Sequence, residues 1–386
     1  MAPAEKYSDS ELSNSVDLNL KYGILAYLDY SVGAVPLAEG GRDYYNRFSL
    51  TRGYLTFRLP LSSRIKIRST IDACREDHDD SRLDGSYVAR FKYFYGRVDW
   101  QDAGFLTHLH SEVGLGHTPW LSFEEHINPY RSQGTMFLER SHIMNSADMG
   151  ISLAGLLGDE LENAQERVGS DNHAGKWGSF QVGAYNGGGY HAVEENQNKV
   201  VQARLSLRPF PAEVPGLQIS WFGAYGEGNR QKGDILWGTT LEGPPDYNAN
   251  LVMVSFQHPR FIAAAQYLST TGNAFGNYVD DKGESLKTSG LSAFLNVRLT
   301  TAPHQVAVFG RYDFFDTDVD DKSGEDSAYS LSIAGLSYKP GPHHLLLLAW
   351  EGTYYREDAG GKGEVPRPGN GLPYTNKYQL VWQIKY

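Results

Sequence analysis

The chain has 386 residues, a formal net charge of −11 and a mean hydropathy of −0.45, which describe a polar polypeptide with an excess of acidic groups. No segment approaches the roughly 18 consecutive apolar residues of a membrane-spanning helix, which excludes a helical membrane protein. The acidic balance argues against nucleic acid as a partner, because phosphate binding requires a basic surface. The single cysteine, Cys74, excludes an internal disulfide.

Apolar and polar residues alternate in the first predicted strand, which covers residues 17–32. Its even positions from Leu18 to Val32 are apolar or aromatic, and Asp17, Lys21 and Asp29 are on the other face. This pattern predicts a strand between two unlike environments, longer than the five or six residues, roughly, of a soluble strand. The pattern recurs at 47–59, 64–74, 86–100, 104–114, 147–157, 177–186, 198–208, 216–226, 248–257, 260–271, 287–300, 304–315, 327–338, 343–355 and 375–386.

The connections between the predicted strands alternate between two kinds. One kind is short and Pro-rich, as in "KPGPHH", and the other is long and acidic or Gly-rich, as in "DTDVDDKSGEDS". Short periplasmic turns and long extracellular loops are typical of bacterial outer-membrane barrels. We therefore predict an all-β fold, a transmembrane antiparallel β-barrel of about 16 strands. It would form one domain over residues 16–386, with 1–15 as an N-terminal periplasmic segment and both termini in the periplasm.

Two connections break this alternation. Residues 115–146 are far more than a hairpin requires, and we expect this long third loop to fold into the lumen as a constriction loop. Residues 158–176 form an unusually long connection on the side where turns are short, and the sequence offers no explanation for it.

A soluble β-sandwich is the alternative fold, because it shows the same alternation. Its strands would average half the observed length. Aromatic residues near the strand ends favour the barrel, since they resemble the aromatic girdles at membrane interfaces. These residues are Trp100, Trp177, Tyr338, Tyr355 and Tyr378.

Five segments together resemble a known family. The segments "RFSLTRGYLTFRLPLSSRIKIRSTIDA", "GLGHTPWLSFEE", "SADMGISLAG", "FQVGAYNGGGY" and "FGRYDFFD" are similar, in order and spacing, to the phosphate-selective porin O and P-like family of Gram-negative outer membranes. The resemblance implies a 16-stranded porin narrowed by its third loop, and a C-terminal Tyr386 that the outer-membrane assembly machinery recognises. Phosphate-binding members carry a dense basic ladder, and the net charge of −11 gives no hint of one.

Charged side chains of the strands should face the lumen, because a charge at the lipid face costs about 2 to 4 kcal/mol at mid-bilayer. If Phe91, Tyr93 and Tyr95 face lipid, Arg90 and Lys92 point inward. One interpretation is an anion-attracting stripe; the other is that these arginines pair with acids and hold the inserted loop. The further inward candidates are Arg52, Arg58, Arg64, Lys66, Arg68, Arg204, Arg208, Arg298 and Arg311.

The predicted constriction loop carries charges of both signs. Pro119 and Trp120 would stiffen the loop and anchor it against the wall. Mixed charges across a constriction give a transverse field, which is typical of a general diffusion porin, whereas a ring of one sign gives ion specificity. The charged and histidine residues of the loop are Glu124, Glu125, His126, Arg131, Glu139, Arg140 and His142.

Metal, cofactor and catalytic motifs are weak. His108 and His110 could hold zinc if Glu112 or His117 came close, but such pairs are common without metal, and we predict no metal site and no cofactor. The acidic loop around Asp318 lacks the glycine and the final glutamate of a calcium loop. No nucleophile elbow, phosphate-binding glycine motif or metal-hydrolase helix is present, so we predict no enzyme.

These observations predict an outer-membrane porin. It would form a water-filled channel for passive diffusion of small hydrophilic solutes or ions, with at most a mild anion preference. The alternative is a binding or adhesion protein that acts through its acidic extracellular loops and has a blocked lumen. The expected partners are outer-membrane lipid, lipopolysaccharide and two further copies in a homotrimer, and not nucleic acid.

Overall fold

The computed structural model describes residues 19–36, 42–76, 82–322, 327–356 and 374–386, so the predicted segment 1–15 lies outside the described residues. The strands are β1 (Lys21–Pro36), β2 (Arg42–Pro60), β3 (Ile65–Arg75), β4 (Tyr87–Asp99), β5 (Leu106–His117), β6 (Ala147–Leu157), β7 (Gly178–Tyr185), β8 (Val200–Leu207), β9 (Leu217–Glu227), β10 (Ile235–Leu236), β11 (Thr239–Thr240), β12 (Asp246–His258), β13 (Phe261–Thr271), β14 (Lys287–Arg298), β15 (Gln305–Asp316), β16 (Ala328–Gly341), β17 (His344–Tyr355) and β18 (Tyr374–Lys385).

Sixteen of these strands close into one antiparallel barrel, which confirms the predicted fold. Each strand pairs with its neighbours along the chain, and β18 returns to pair with β1, where Leu25 lies opposite Lys385 and Ala34 opposite Asn376. Closure gives every barrel strand a hydrogen-bonded neighbour on each side. The remaining two strands, β10 and β11, form a small hairpin in the connection between β9 and β12.

The two faces of each strand meet different surroundings. In β12, Leu251 and Met253 are 1% exposed, whereas Val252 and Val254 are 49% and 48% exposed. An apolar outer face is the arrangement expected of a barrel in lipid. Three short helices lie in the connections: α1 (Leu121–Ile127), α2 (Phe137–Arg140) and α3 (Ala164–Arg167).

None of the described helices is long and apolar enough to span a membrane.

The barrel has two unlike ends. At the turn end, where β1 begins and β18 ends, most connections are short, such as residues 259–260 between β12 and β13. At the loop end the connections are long, such as residues 118–146 between β5 and β6. The connection 158–177 between β6 and β7 is the long exception at the turn end.

A β-bulge in β4 corrects the predicted orientation of its aromatic residues. The register between β3 and β4 shifts at this point, because Thr70 pairs with Tyr93 whereas the next residue, Ile71, pairs with Phe91. Lys92 is therefore an extra residue of β4 without a partner on β3. An extra residue reverses the alternation beyond it. Tyr93 and Tyr95 were predicted to face lipid, and they are instead buried, with exposures of 7% and 6%.

Candidate functional site

The constriction loop, predicted as residues 115–146, covers residues 118–146, because β5 extends to His117. It turns into the barrel, and its two ends are hydrogen-bonded to each other. The Thr118 amide donates to the Ser146 carbonyl at 3.2 Å, and the Thr118 hydroxyl donates to the Asn145 carbonyl at 2.9 Å. Its helices α1 and α2 carry apolar residues that the structure buries completely. The loop therefore begins and ends at one point and fills interior space between them.

Many apolar side chains of the inner wall, in the second half of the barrel, form one buried cluster with side chains of the constriction loop. Tyr130 stacks on Phe309 of β15 with ring centroids 4.1 Å apart, and Trp120 lies 5.8 Å from Phe222 of β9. The burial of these faces supplies the hydrophobic stabilisation of the loop. The cluster also includes Leu121, Phe123, Ile127, Met136, Phe137, Leu138, Tyr247, Leu251, Met253, Phe294, Phe315, Tyr329, Leu331, Ile333 and Leu347.

Polar contacts tie the same loop to the wall. Arg311 of β15 donates to the Thr135 carbonyl at 2.7 Å and forms an ion pair with Asp313 at 2.6 Å. Gln266 of β13 donates to Glu124 at 2.6 Å. Burial raises the pKa of Glu124 above its ordinary value, although Arg311 and the Gln266 bond act in the opposite direction.

Two more predicted pore cations are also used as anchors. Arg204 of β8 is 2% exposed and donates through Nε to the Pro119 carbonyl at 3.0 Å. Arg140 of α2 forms an ion pair with Glu351 of β17 at 3.0 Å. These contacts fit the interpretation in which lumen arginines hold the loop.

The opposite wall, on β2 to β4, carries a row of cations that we call the basic ladder: Arg52, Arg58, Arg68, Arg90 and Lys92. Two of them share the buried carboxylate of Asp72, which lies 3.7 Å from Arg52 Nη1 and 3.4 Å from Arg90 Nη2. Asp72 therefore offsets part of the positive charge at that level of the wall.

None of the remaining three cations of the ladder lies within ion-pair distance of a carboxylate among the described residues. Lys92 donates to the Tyr54 hydroxyl at 3.2 Å. Arg68 lies 4.6 Å from the ring centroid of Tyr93 and 3.2 Å from His117 Nε2. Arg58 is exposed. Arg58 and Arg68 are therefore accessible to solutes in the space that these cations line, whereas Lys92 faces it from a buried position.

That space is a cavity of about 340 Å³, the ladder cavity, between the basic ladder and the constriction loop. Its lining holds five basic side chains and one acidic side chain. The charged side chains are Arg58, Arg68, Lys92, Arg131, Lys385 and Glu125, and Tyr27, Tyr54 and Tyr93 complete much of the wall.

The loop contributes an ion-pair network beside this cavity. Arg131 lies 3.1 Å from both Glu125 and Glu139. Burial tends to raise the pKa of Glu139, but Arg131 and then Lys92 outweigh it, so the pKa lies below its ordinary value. Three of the charges predicted in the loop, those of Glu125, Arg131 and Glu139, thus pair with one another.

A second cavity, of about 330 Å³, adjoins the first, since both are lined by His117, Ser122 and His126. His108 and His110 line it. His108 lies 3.5 Å from Glu160, and His110 Nδ1 donates to the His108 carbonyl. Across the described part of the chain, no group of three His, Cys, Asp or Glu side chains is arranged to hold a metal ion.

The other predicted pore residues lie near the turn end. Arg64 is in the turn before β3, not on the strand as predicted, and its side chain is exposed. Lys66 forms an ion pair with Asp99 at 2.5 Å. Arg298 donates to the Pro259 carbonyl, and Arg208 donates to the Gly175 carbonyl. Arg298 and Arg208 thus contact connections between strands, and none of these four side chains lines the ladder cavity.

Several residues of the site were not identified from the sequence. Asp313 and Glu351 each neutralise a cation that the sequence placed in the pore. Their inward position on alternating strands was a usable signal, since charged groups avoid the lipid face. His173, in the unexplained connection 158–177, gave no such signal because it is not on a strand.

Comparison with known proteins supports the fold. No protein-family model and no curated protein matches the sequence. Three solved structures, each matching 95% of this chain, are the anion-selective porin from Comamonas acidovorans (11% identity, 100% of that chain, TM-score 0.58), the outer membrane channel DcaP of Acinetobacter baumannii (10%, 97%, 0.56) and OmpF of Salmonella typhi in complex with daunomycin (11%, 97%, 0.59). At these identities the likeness shows a shared porin-like barrel fold.

Proposed function

We propose that this protein is a non-enzymatic outer-membrane porin that carries small hydrophilic solutes or ions by passive diffusion, with a mild preference for anions. The ladder cavity carries this proposal, because five basic side chains and one acidic side chain line it inside a closed barrel. A pore selects by its width and by the charges on its wall. The similar structures described as a channel and as an anion-selective porin support the same function.

The preference is mild because part of the ladder is neutralised. Asp72 supplies one negative charge against the two positive charges of Arg52 and Arg90, and Glu125 and Glu139 supply two against the one of Arg131. The three cations without a carboxylate partner remain. A single charge about 10 Å away in water contributes roughly 0.4 kcal/mol, which corresponds to about a twofold change in ion concentration.

We also propose how the porin assembles and how it is oriented in the outer membrane. Five sequence segments, from "RFSLTRGYLTFRLPLSSRIKIRSTIDA" to "FGRYDFFD", support membership of the porin O and P-like family. A homotrimer is supported by the trimeric form of OmpT of Vibrio cholerae, which matches 95% of this chain with a TM-score of 0.55 at 10% identity. The outer apolar face would contact lipid, with lipopolysaccharide at the loop end and both termini in the periplasm.

Conductance in planar lipid bilayers tests the channel function. The purified protein should give ohmic conductance steps. Its reversal potential in a KCl gradient should correspond to a chloride-to-potassium permeability ratio of about two or more. The double variant Arg58→Gln/Arg68→Gln should lose most of this preference. Lys232→Gln is the matched control, because Lys232 is 75% exposed in the connection between β9 and β12 and lies outside the ladder cavity.

Two outcomes would contradict the proposal. Absence of any conductance would favour the alternative of a binding protein with a blocked lumen. If the wild type conducts but has the same ion selectivity as the double variant, the basic ladder does not determine the anion preference. The measurement requires low salt, because the Debye length is about 10 Å at 0.1 M and shorter above it.

A further inference from the structure

Histidines are concentrated in the second cavity, the histidine cavity. Five of the 12 histidines of the chain line it. They come from three separate parts of the fold: β5 supplies His108, His110 and His117, the constriction loop supplies His126, and the connection between β6 and β7 supplies His173. The cavity therefore lies where the loop and this connection meet.

The connection between β6 and β7 is a folded element and not an open loop. Its residues Leu161, Ala164, Val168 and Ala174 form a small apolar core of their own. Gly169, with φ of +80°, passes so close to the β12–β13 turn that an added Cβ would lie 3.3 Å from Pro259 Cα. We call residues 158–177 the crossing turn, because they reach over the turn end of the barrel.

The crossing turn places His173 against the constriction loop. The His173 ring centroid lies 5.2 Å from that of His126 and 5.4 Å from that of Phe123. Phe123 also lies beneath the guanidinium of Arg204, at 4.3 Å from Arg204 Cζ. The loop from one end of the barrel and the turn from the other thus touch through two imidazoles.

Both of these imidazoles can accept a proton. His126 Nδ1 faces the Ser122 carbonyl, and a carbonyl only accepts, so Nδ1 carries the hydrogen and Nε2 keeps a free lone pair. His173 has no hydrogen-bond partner among the described residues, and it lines the cavity. His126 lines both cavities, so its charge acts on a solute in either one.

The other charges around the histidine cavity nearly balance. Facing it are two arginines and three carboxylates, while Glu125 and Lys385 are further charged neighbours of His126. When all imidazoles are neutral, the net charge of the side chains that line the cavity is therefore small. Each proton that an imidazole accepts makes this net charge more positive. The charged and titratable groups of the lining are Arg97 on β4, His108, His110, Glu112 and His117 on β5, His126 on the loop, Glu160, Asp171 and His173 on the crossing turn, and Arg204 on β8.

We propose that the histidine cavity is a second selectivity site of the channel, in which His126 and His173 determine how strongly anions are preferred and increase that preference on acidification. This inference rests on the proposed porin function. The ligands are small anions in transit, chloride being the simplest. The ladder cavity supplies the permanent part of the preference and the histidine cavity the part that depends on protons.

The expected pH range follows from the surroundings of the two rings. Desolvation inside the barrel lowers the pKa of His126, and desolvation together with Arg204 and neighbouring histidines lowers the pKa of His173 well below its usual value. Both groups are therefore neutral at pH 7.5 and gain charge only below the ordinary histidine range of about 6.5.

Reversal potentials at pH 7.5 and pH 4.5 in the same KCl gradient test the proposal. For the wild type, the chloride-to-potassium permeability ratio should rise about twofold or more on acidification. In His126→Gln/His173→Gln the increase in this permeability ratio should be smaller. It should equal the increase that protonation of carboxylates alone causes, which is common to the variant and the wild type. The control His304→Gln, in the turn between β14 and β15 and outside both cavities, should behave as the wild type.

The outcomes separate this inference from the proposed function. Far-ultraviolet circular dichroism in detergent micelles establishes that the variant is folded like the wild type, and the single variants His126→Gln and His173→Gln replace the double variant if it does not fold. A conducting wild type whose pH response is unchanged in these variants overturns the histidine site alone. A wild type that conducts at neither pH overturns the proposed function and this site with it.

Discussion

Arg140 in α2 and Glu351 in β17 form a paired contact in which Nη1 lies 3.0 Å from Oε1 and Nη2 lies 3.3 Å from Oε2. The two residues are 211 positions apart in the sequence. Gln133 of the same loop adds a third bond by donating to Glu351 at 2.6 Å. Bidentate contacts of this kind hold the relative orientation as well as the distance of their partners, so this pair positions α2 on the wall.

Removing one partner of this pair should destabilise the protein strongly. Glu351→Ala leaves the buried guanidinium of Arg140 without its anion, and such a change costs about 3 to 5 kcal/mol. The free energy of unfolding by urea in detergent micelles measures it. Glu242→Ala is the control, since Glu242 is 92% exposed and only 3.8 Å from Lys232, and it should change little. Equal effects of the two variants would show that the loop is not held by this ion pair.

The Arg131–Glu139 pair should make stability depend on pH. The folded-state pKa of Glu139 is depressed, so its contribution is present above the unfolded pKa of about 4.3 and is lost as pH falls through the folded value. The difference in unfolding free energy between wild type and Glu139→Gln should therefore be largest near pH 7 and vanish at the acid extreme. A difference that is constant from pH 7 to pH 3 would contradict this linkage.

Strand number and facing follow from local pattern, which is why the sequence predicts them. The predicted strand 248–257 is observed as Asp246–His258, and 177–186 as Gly178–Tyr185. Alternation has a period of two and needs no knowledge of distant residues. Arg52, Arg68 and Lys92 follow the same rule and lie on the inner wall.

Features that depend on contacts between residues distant in the sequence were not predictable. The bulge at Lys92 shows only when β4 is aligned with β3, since a bulge is defined by two residues opposite one. The pairing of Arg140 with Glu351, and the contact of His126 with His173, join elements whose meeting is decided by the closed barrel and not by local sequence. This is why lumen cations could not be divided into free charges and anchors.

Tyr130 should be a principal anchor of the constriction loop. Its ring stacks on Phe309, and its hydroxyl lies 2.8 Å from both Asn296 and Ser337. Tyr130→Ala should cost about 3 to 5 kcal/mol of unfolding free energy through the cavity it leaves, and it should add flicker to single-channel currents. Tyr130→Phe, which keeps the stacking, should cost only about 1 kcal/mol and leave the currents quiet. Identical currents in all three proteins would show that the loop is held elsewhere.

The outer face of the barrel should reject charge at the middle of the strands. Val252 is the central residue of β12 and is 49% exposed on the outer face. In lipid vesicles, Val252→Arg should lower the unfolding free energy by about 2 to 4 kcal/mol, because the guanidinium would lie near the bilayer midplane. Val193→Arg is the matched control, since Val193 is 75% exposed in the loop between β7 and β8 and should be unaffected. If the two substitutions cost the same, the outer face does not contact hydrocarbon.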